Sequence, residues 1–154
     1  MKVSMKTDYA LRVLITLVEH YGRAPIPIRE LARRNEVPKR FLEHIMLDLK
    51  SQGWVDSKMG KQGGYVLAKA PDKITVGQVI RHFNGVLAPI GCVSVSHYEH
   101  CSQESVCRFR RFFLNVRNHA ANLMDRTTLR AMHQGVPVKR EEVLKEELLG
   151  GAGI

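Results

Sequence analysis

Apolar residues recur at three- and four-residue steps four times in the first 85 positions, so four helices are expected there. Leu11, Leu14, Ile15, Val18 and Tyr21 form the first stripe, with Thr7-Asp8 as the expected cap. Gly22, Pro25 and Pro27 end that helix. Ile28-Arg-Glu-Leu31-Ala32-Arg-Arg predicts a short amphipathic helix, and Asn35-Glu36-Val37 a tight turn. Pro38 is expected in the first turn of a helix, where its missing N–H costs nothing, and Phe41, Leu42, Ile45 and Leu49 form the next buried stripe. After Gly53 the period shortens: Trp54 to Lys58 alternates as a strand, and Tyr65-Val-Leu67 makes a second. Between them Met59-Gly60-Lys61-Gln62, with Gly63-Gly64, forms a glycine-rich basic tip.

Downstream, Ala70-Pro71-Asp72 breaks the chain and Thr75-Val-Gly-Gln78 reads as a capping box. Val79, Ile80 and Phe83 give that helix its apolar face, and Gly85 closes it. From about Cys107 to Met132 no Gly or Pro interrupts the chain, which predicts one long helix. Its stripe runs through Phe109, Phe112, Phe113, Val116, Ala120, Leu123 and Thr127. Such a helix would be about 40 Å long, more than one small domain covers, so the stripe is expected to meet its own copy in a second subunit. Packing on the first helix is the other use for it. Gly135 and Pro137 end the segment, Glu141 to Leu149 suggests a last short helix, and Gly150 onward a frayed tail. The expected fold is therefore mainly α with a small β wing. It comprises a winged helix-turn-helix domain (1–85), a connecting loop (86–107), a dimerisation helix (108–135) and a C-terminal tail (136–154).

Two short helices across a three-residue turn fit a helix-turn-helix, although an ordinary helical hairpin satisfies the same spacing. DNA is favoured by the polar face of the second helix, where Lys39, Arg40, Glu43 and His44 lie near the N-terminal end. A glycine-rich hairpin following directly is the wing of a winged helix. Arg29, Lys58, Lys61, Gln62 and Tyr65 complete the expected DNA-binding set. Charge agrees: the chain carries +9, and residues 1–70 hold 13 basic against 7 acidic side chains. That excess suits a polyanion without choosing among DNA, RNA and an acidic membrane. No apolar run is long enough to span a bilayer, and the N-terminus lacks the features of a signal peptide, so a cytoplasmic protein with reduced thiols is expected.

All three cysteines fall within the sixteen residues from Cys92 to Cys107, at Cys92, Cys101 and Cys107. An odd number of thiols in a reducing compartment is better suited to metal ligation or redox chemistry than to a disulfide framework. His97 and His100 lie in the same loop, but Cys-x8-Cys-x5-Cys is not a usual zinc spacing. A cysteine nucleophile with a histidine base would make the chain an enzyme. No glycine-rich oxyanion or phosphate loop flanks the pair, so an enzyme is not expected. A winged helix serving as a protein-binding module is a third class. Arg108, Arg110 and Arg111 would favour thiolates and offset an anionic group, or serve simply as a solvated helix face.

Over roughly residues 1–135 the chain resembles the Rrf2 family of bacterial winged-helix regulators. The resemblance is carried by Lys6-Thr-Asp-Tyr-Ala-Leu-Arg12, Val37-Pro-Lys-Arg-Phe-Leu-Glu43, Gly60-Lys-Gln-Gly-Gly-Tyr-Val-Leu67 and Ile74-Thr-Val-Gly-Gln-Val-Ile80. In the family's cluster-binding members, three cysteines in this loop hold an iron–sulfur cluster; other members lack them. The resemblance implies a homodimer on two-fold symmetric double-stranded DNA, acting as a repressor and sensing iron, redox state or nitric oxide. Its implied ligands are Cys92, Cys101 and Cys107. The longer first interval is similar to that of the family's iron-regulator type. Where the iron–sulfur assembly regulator of the family supplies a histidine, this chain has Arg110. Asp8 matches the position from which some nitric-oxide sensors donate a carboxylate across the dimer, which makes it the first candidate fourth ligand, ahead of His100 and His97. That match and the loop length favour a 4Fe–4S over a 2Fe–2S cluster. A regulator without a cluster, switched by thiol oxidation or zinc, is the alternative.

Overall fold

The structure, a computed structural model, describes residues 1–144. Its core is a helical cluster to which a two-stranded wing and a long C-terminal helix are attached. Helix α1 spans Met5–Glu19, α2 Ile28–Asn35 and α3 Lys39–Ser51. Strands β1 (Val55–Lys58) and β2 (Gly64–Leu67) pair antiparallel, with Val55 opposite Leu67 and Lys58 opposite Gly64. Helices α4 (Val76–Asn84), α5 (Arg108–Arg126), α6 (Leu129–His133) and α7 (Arg140–Val143) follow.

The cap of α1 is Ser4 rather than Thr7-Asp8: the Ser4 hydroxyl accepts the Thr7 amide, which places both expected residues in the first turn. Asn84, at the end of α4, determines this start by accepting the Ser4 amide and the Thr7 hydroxyl, with Thr7 fully buried. The helix stops at Glu19, so Tyr21 lies beyond it and is exposed. Leu14 and Val18 enter the core with Ala10, Val13 and Leu17, while Leu11 and Ile15 are half-buried against it.

Between α2 and α3 the turn is made by Glu36 in the left-handed region, φ 53°, a conformation uncommon for a residue with a side chain. Buried Asn35 is satisfied on both sides: its amide donates to the Leu31 carbonyl and its oxygen accepts from Thr16 of α1. Pro38 is the cap residue of α3 rather than its first turn. Leu42, Ile45 and Leu49 are fully buried as expected, and Met46 joins them. Phe41 does not: it is 41% exposed, edge-on to Tyr9 of α1. Gly64 packs directly on the Ile26 backbone, where a Cβ would overlap the Ile26 carbonyl, and Tyr65 and Ile26 exchange amide hydrogen bonds. The wing is thereby tied to the segment that opens α2.

The Thr75–Gln78 capping box is present with both bonds formed. The expected single helix from Cys107 to Met132 is broken at Thr127-Thr128, where the backbone is extended. The Thr127 carbonyl accepts from the Val76 amide and the Leu129 amide donates to the Ile74 carbonyl, so the break is a short bridge onto the base of α4. Thr128 then caps α6, and fully buried Leu129 anchors it in the core. Thr127 thus leaves the stripe, and α5 alone is about 28 Å long. Of the last expected helix, only its start is seen, in α7; the remainder and the glycine-rich tail lie outside the described residues.

Candidate functional site

Two surfaces carry the expected residues, and α5 joins the first of them to α4. The first is the cysteine loop. Ile90 leads into a single 3-10 turn at Gly91–Val93, which holds Cys92, and Cys107 is the residue at which α5 begins. Cys92 and Cys107, both half-buried, line one cavity of about 410 Å³ together with Tyr98, Glu104, Arg110 and Arg111. Arginines from α5 bind the loop: Arg110 donates twice to the Cys92 carbonyl (3.1 and 3.3 Å), and Arg117 to the Val93 carbonyl (2.7 Å). They are therefore loop anchors as well as charges, a role that a sequence run of arginines does not announce.

Cys101 stands apart. It is exposed and outside the cavity lining, in a strap between the two other cysteines of which Glu104 is a half-buried part. Glu104 organises this strap, accepting from the Tyr98 hydroxyl (2.6 Å) and the Cys101 amide (3.2 Å) and pairing with Arg110 (3.3 Å). The Tyr98 bond, then the Cys101 amide and the Arg110 charge, hold the Glu104 carboxyl below its usual range against the opposing effect of burial. Glu104 is a site residue that sequence reading missed; only its place three positions after Cys101 hinted at it. His100 is 77% exposed with its ring nitrogen 3.8 Å from Glu104, and His97 is exposed. Asp8 lies on α1, paired with Arg12 at 2.7 Å, and is not part of the cavity lining.

The donor set fits an iron–sulfur group in chemical type: unpaired thiols, two at one cavity, among guanidinium groups that offset anionic charge. Among the described residues, no three Cys, His, Asp or Glu side chains converge as a ready-made metal site. Cys101 would therefore have to move with its strap to join the other two.

The second surface is the N-terminal face of α3 with the wing. Arg40 and His44 are exposed, and His44 is steadied by its contact with the Arg40 carbonyl (2.9 Å). Lys39 pairs with Glu43 at 2.7 Å, which lowers the Glu43 carboxyl through that hydrogen bond. Arg29 is exposed at the start of α2. Lys58, Lys61 and Gln62 are exposed on the wing, whereas Tyr65 is half-buried against the core. Together these residues present donors and cations from a helix end and a hairpin tip.

Helix α5 has no buried residue. Its outer apolar stripe leaves Phe109 73%, Phe112 63% and Leu123 63% exposed, while Phe113 and Leu114 are half-buried. Packing within the chain thus uses one side of α5 and leaves the other uncovered. No helix among the described residues is long and apolar enough to cross a membrane.

Residues 3–135 match a family described as "Rrf2: Iron-dependent Transcriptional regulator". An rrf2-like HTH-type transcriptional regulator of Rhodobacter capsulatus is 39% identical over 136 residues, covering 84% of this chain and 91% of the relative. The HTH-type transcriptional regulator NsrR of Bacillus licheniformis is 30% identical over 129 residues, 84% and 90% of the two chains. The solved structure of CymR, described as the global cysteine regulator of Bacillus subtilis, superposes with a TM-score of 0.76 at 29% identity, covering 89% of this chain and 99% of that one.

Proposed function

The chain belongs to the Rrf2 family of transcriptional regulators, and on that premise we propose that it is a homodimeric repressor whose cysteine loop holds an iron–sulfur cluster. The proposed ligands are Cys92, Cys101 and Cys107, with Asp8 of the partner subunit as the fourth and His100 as the alternative. A 4Fe–4S cluster is preferred to 2Fe–2S. The observation that carries the reading is the shared cavity of Cys92 and Cys107 beneath three arginines. When bound, such a cluster supplies a labile iron site that iron loss, oxygen or nitric oxide can alter.

The chain's own residues connect that site to DNA. Arg110 and Arg117 fasten the loop to the N-terminal half of α5. At the other end, the Thr127–Val76 and Leu129–Ile74 hydrogen bonds and the Arg81–Asp125 ion pair fasten α5 to the winged-helix domain. With the outer stripe of α5 packed on its copy, a change in how the loop holds α5 changes the spacing of the two α3 helices. Half-sites about one helical turn apart make DNA affinity sensitive to a shift of a few ångströms.

A second reading, a thiol switch without a cluster, is favoured by the exposure of Cys101 and by the lack of a converged three-donor site among the described residues. Absorption spectra with iron and sulfide analysis of protein purified without oxygen separate the two. A broad visible band lost in each of Cys92→Ala, Cys101→Ala and Cys107→Ala is expected. Protein that stays colourless after anaerobic reconstitution would remove the cluster and leave the thiol switch.

A further inference from the structure

We propose that the cavity between the 91–93 turn and α5 is also a docking site for small anionic disulfides, which thiolate Cys107 in preference to the more exposed Cys101. This deepens the thiol-switch reading and does not require the cluster. Exposure alone predicts the opposite order, because Cys101 is exposed and Cys107 half-buried. Charge reverses it. The cavity is lined by Arg110, Arg111 and Arg117 against Glu104 alone, and Glu104 is already engaged by Tyr98 and Arg110. Arg111 makes no side-chain hydrogen bond or ion pair among the described residues, so its guanidinium is available to a carboxylate. At about 410 Å³ the cavity has room for a small disulfide, and Cys107, the cap residue of α5, is on its wall.

In the reaction the Cys107 sulfur attacks one sulfur of the bound disulfide. The reagent's S–S bond breaks as the Cys107 mixed disulfide forms, and the departing half leaves as a thiolate that takes up, through solvent, the proton lost by Cys107. No other oxidant is needed. The adduct retains a carboxylate among the arginines, occupying the space in which Cys92 and Cys107 would share a metal.

The test uses full-length, metal-free protein kept anaerobic, with two disulfides of about equal size. Dithiodiglycolate is a dianion and bis(2-hydroxyethyl) disulfide is neutral. Peptide mass spectrometry gives the ratio of Cys107 to Cys101 adducts early in each reaction. The ratio is expected to be roughly tenfold or more higher for the dianion, as for other charge-focused encounters, and to shrink as salt is raised. Arg111→Gln, which leaves the Arg110 and Arg117 anchors in place, should cut the dianion's excess over the neutral reagent severalfold, the remainder being that of the two engaged arginines. Equal ratios for the two reagents, or an Arg111→Gln protein that retains the full difference, would overturn the proposal. The cluster reading is judged separately by iron and sulfide content. A brown protein without the charge preference loses only this inference; a colourless one with it loses only the cluster.

Discussion

Glu30 shows how the helix-turn-helix is tuned by single side chains. It accepts from Arg33 and Arg34 at 2.6 to 3.0 Å, and those bonds pull its carboxyl from 4.5 to about 2. A depressed folded value means that the stabilisation is complete above the ordinary carboxylate range and is lost as pH falls through the folded one. Glu30→Gln is therefore expected to lower the melting temperature modestly at neutral pH, the ion pairs being partly solvated, and that deficit should vanish as pH falls from about 4.5 towards about 2. Thermal melts from about pH 6 to about pH 2 check this. Gly64 is a sharper case. The glycine pair at 63–64 is legible in the sequence as a turn signal, yet Gly64 is required because its Cα lies against the Ile26 backbone. Gly64→Ala should cost about 1–3 kcal/mol in urea unfolding, by forcing the wing away from α2. The Thr75–Gln78 box was equally legible, being a local pattern. The start of α1 was not: Ser4, Thr7 and Asp8 are all acceptable caps, and the choice is made by Asn84, eighty residues away.

Among the elements, α3 and the wing were readable because their signals are local, namely a stripe, a turn and glycines. Phe41 misled because it continues the stripe in spacing, while its neighbours on α1 leave room for it only at the rim. The break at Thr127 carried no Gly or Pro. Two consecutive β-branched threonines, the second a competent cap, were the only local hint; the deciding interaction is the backbone bridge to Ile74 and Val76. Helix and wing are expected to serve DNA differently. Arg40→Ala, at the exposed N-terminal end of α3, should cost about 1–3 kcal/mol and relax base preference at one position of each half-site. Lys61→Ala, at the wing tip, should weaken binding evenly across sequences and reduce the salt slope by about 1. Fluorescence anisotropy titrations on matched duplexes at several salt concentrations distinguish the two.

At the scale of the whole molecule, α5 is a shaft held by arginines at the cysteine loop and by backbone bonds at the winged-helix domain. Its uncovered stripe is what a second copy would bury. Replacing Phe112 and Leu123 together by Asp should convert a dimer to monomers in sedimentation while leaving the fold intact, because both side chains are mostly exposed within the chain. The gathering of Cys92 and Cys107 at one cavity, and the isolation of Cys101, depend on how the loop lies on α5. Spacing alone placed the thiols in one loop but did not say which two would meet. The chemical state of this loop is expected to set the grip on DNA. The most direct measurement is the affinity of one preparation for a duplex selected from random sequence, taken anaerobically before and after iron removal at fixed salt. A change of roughly 5- to 150-fold, abolished in Cys107→Ala, is the predicted result. Equal affinity before and after would mean that the state of the loop does not reach α3.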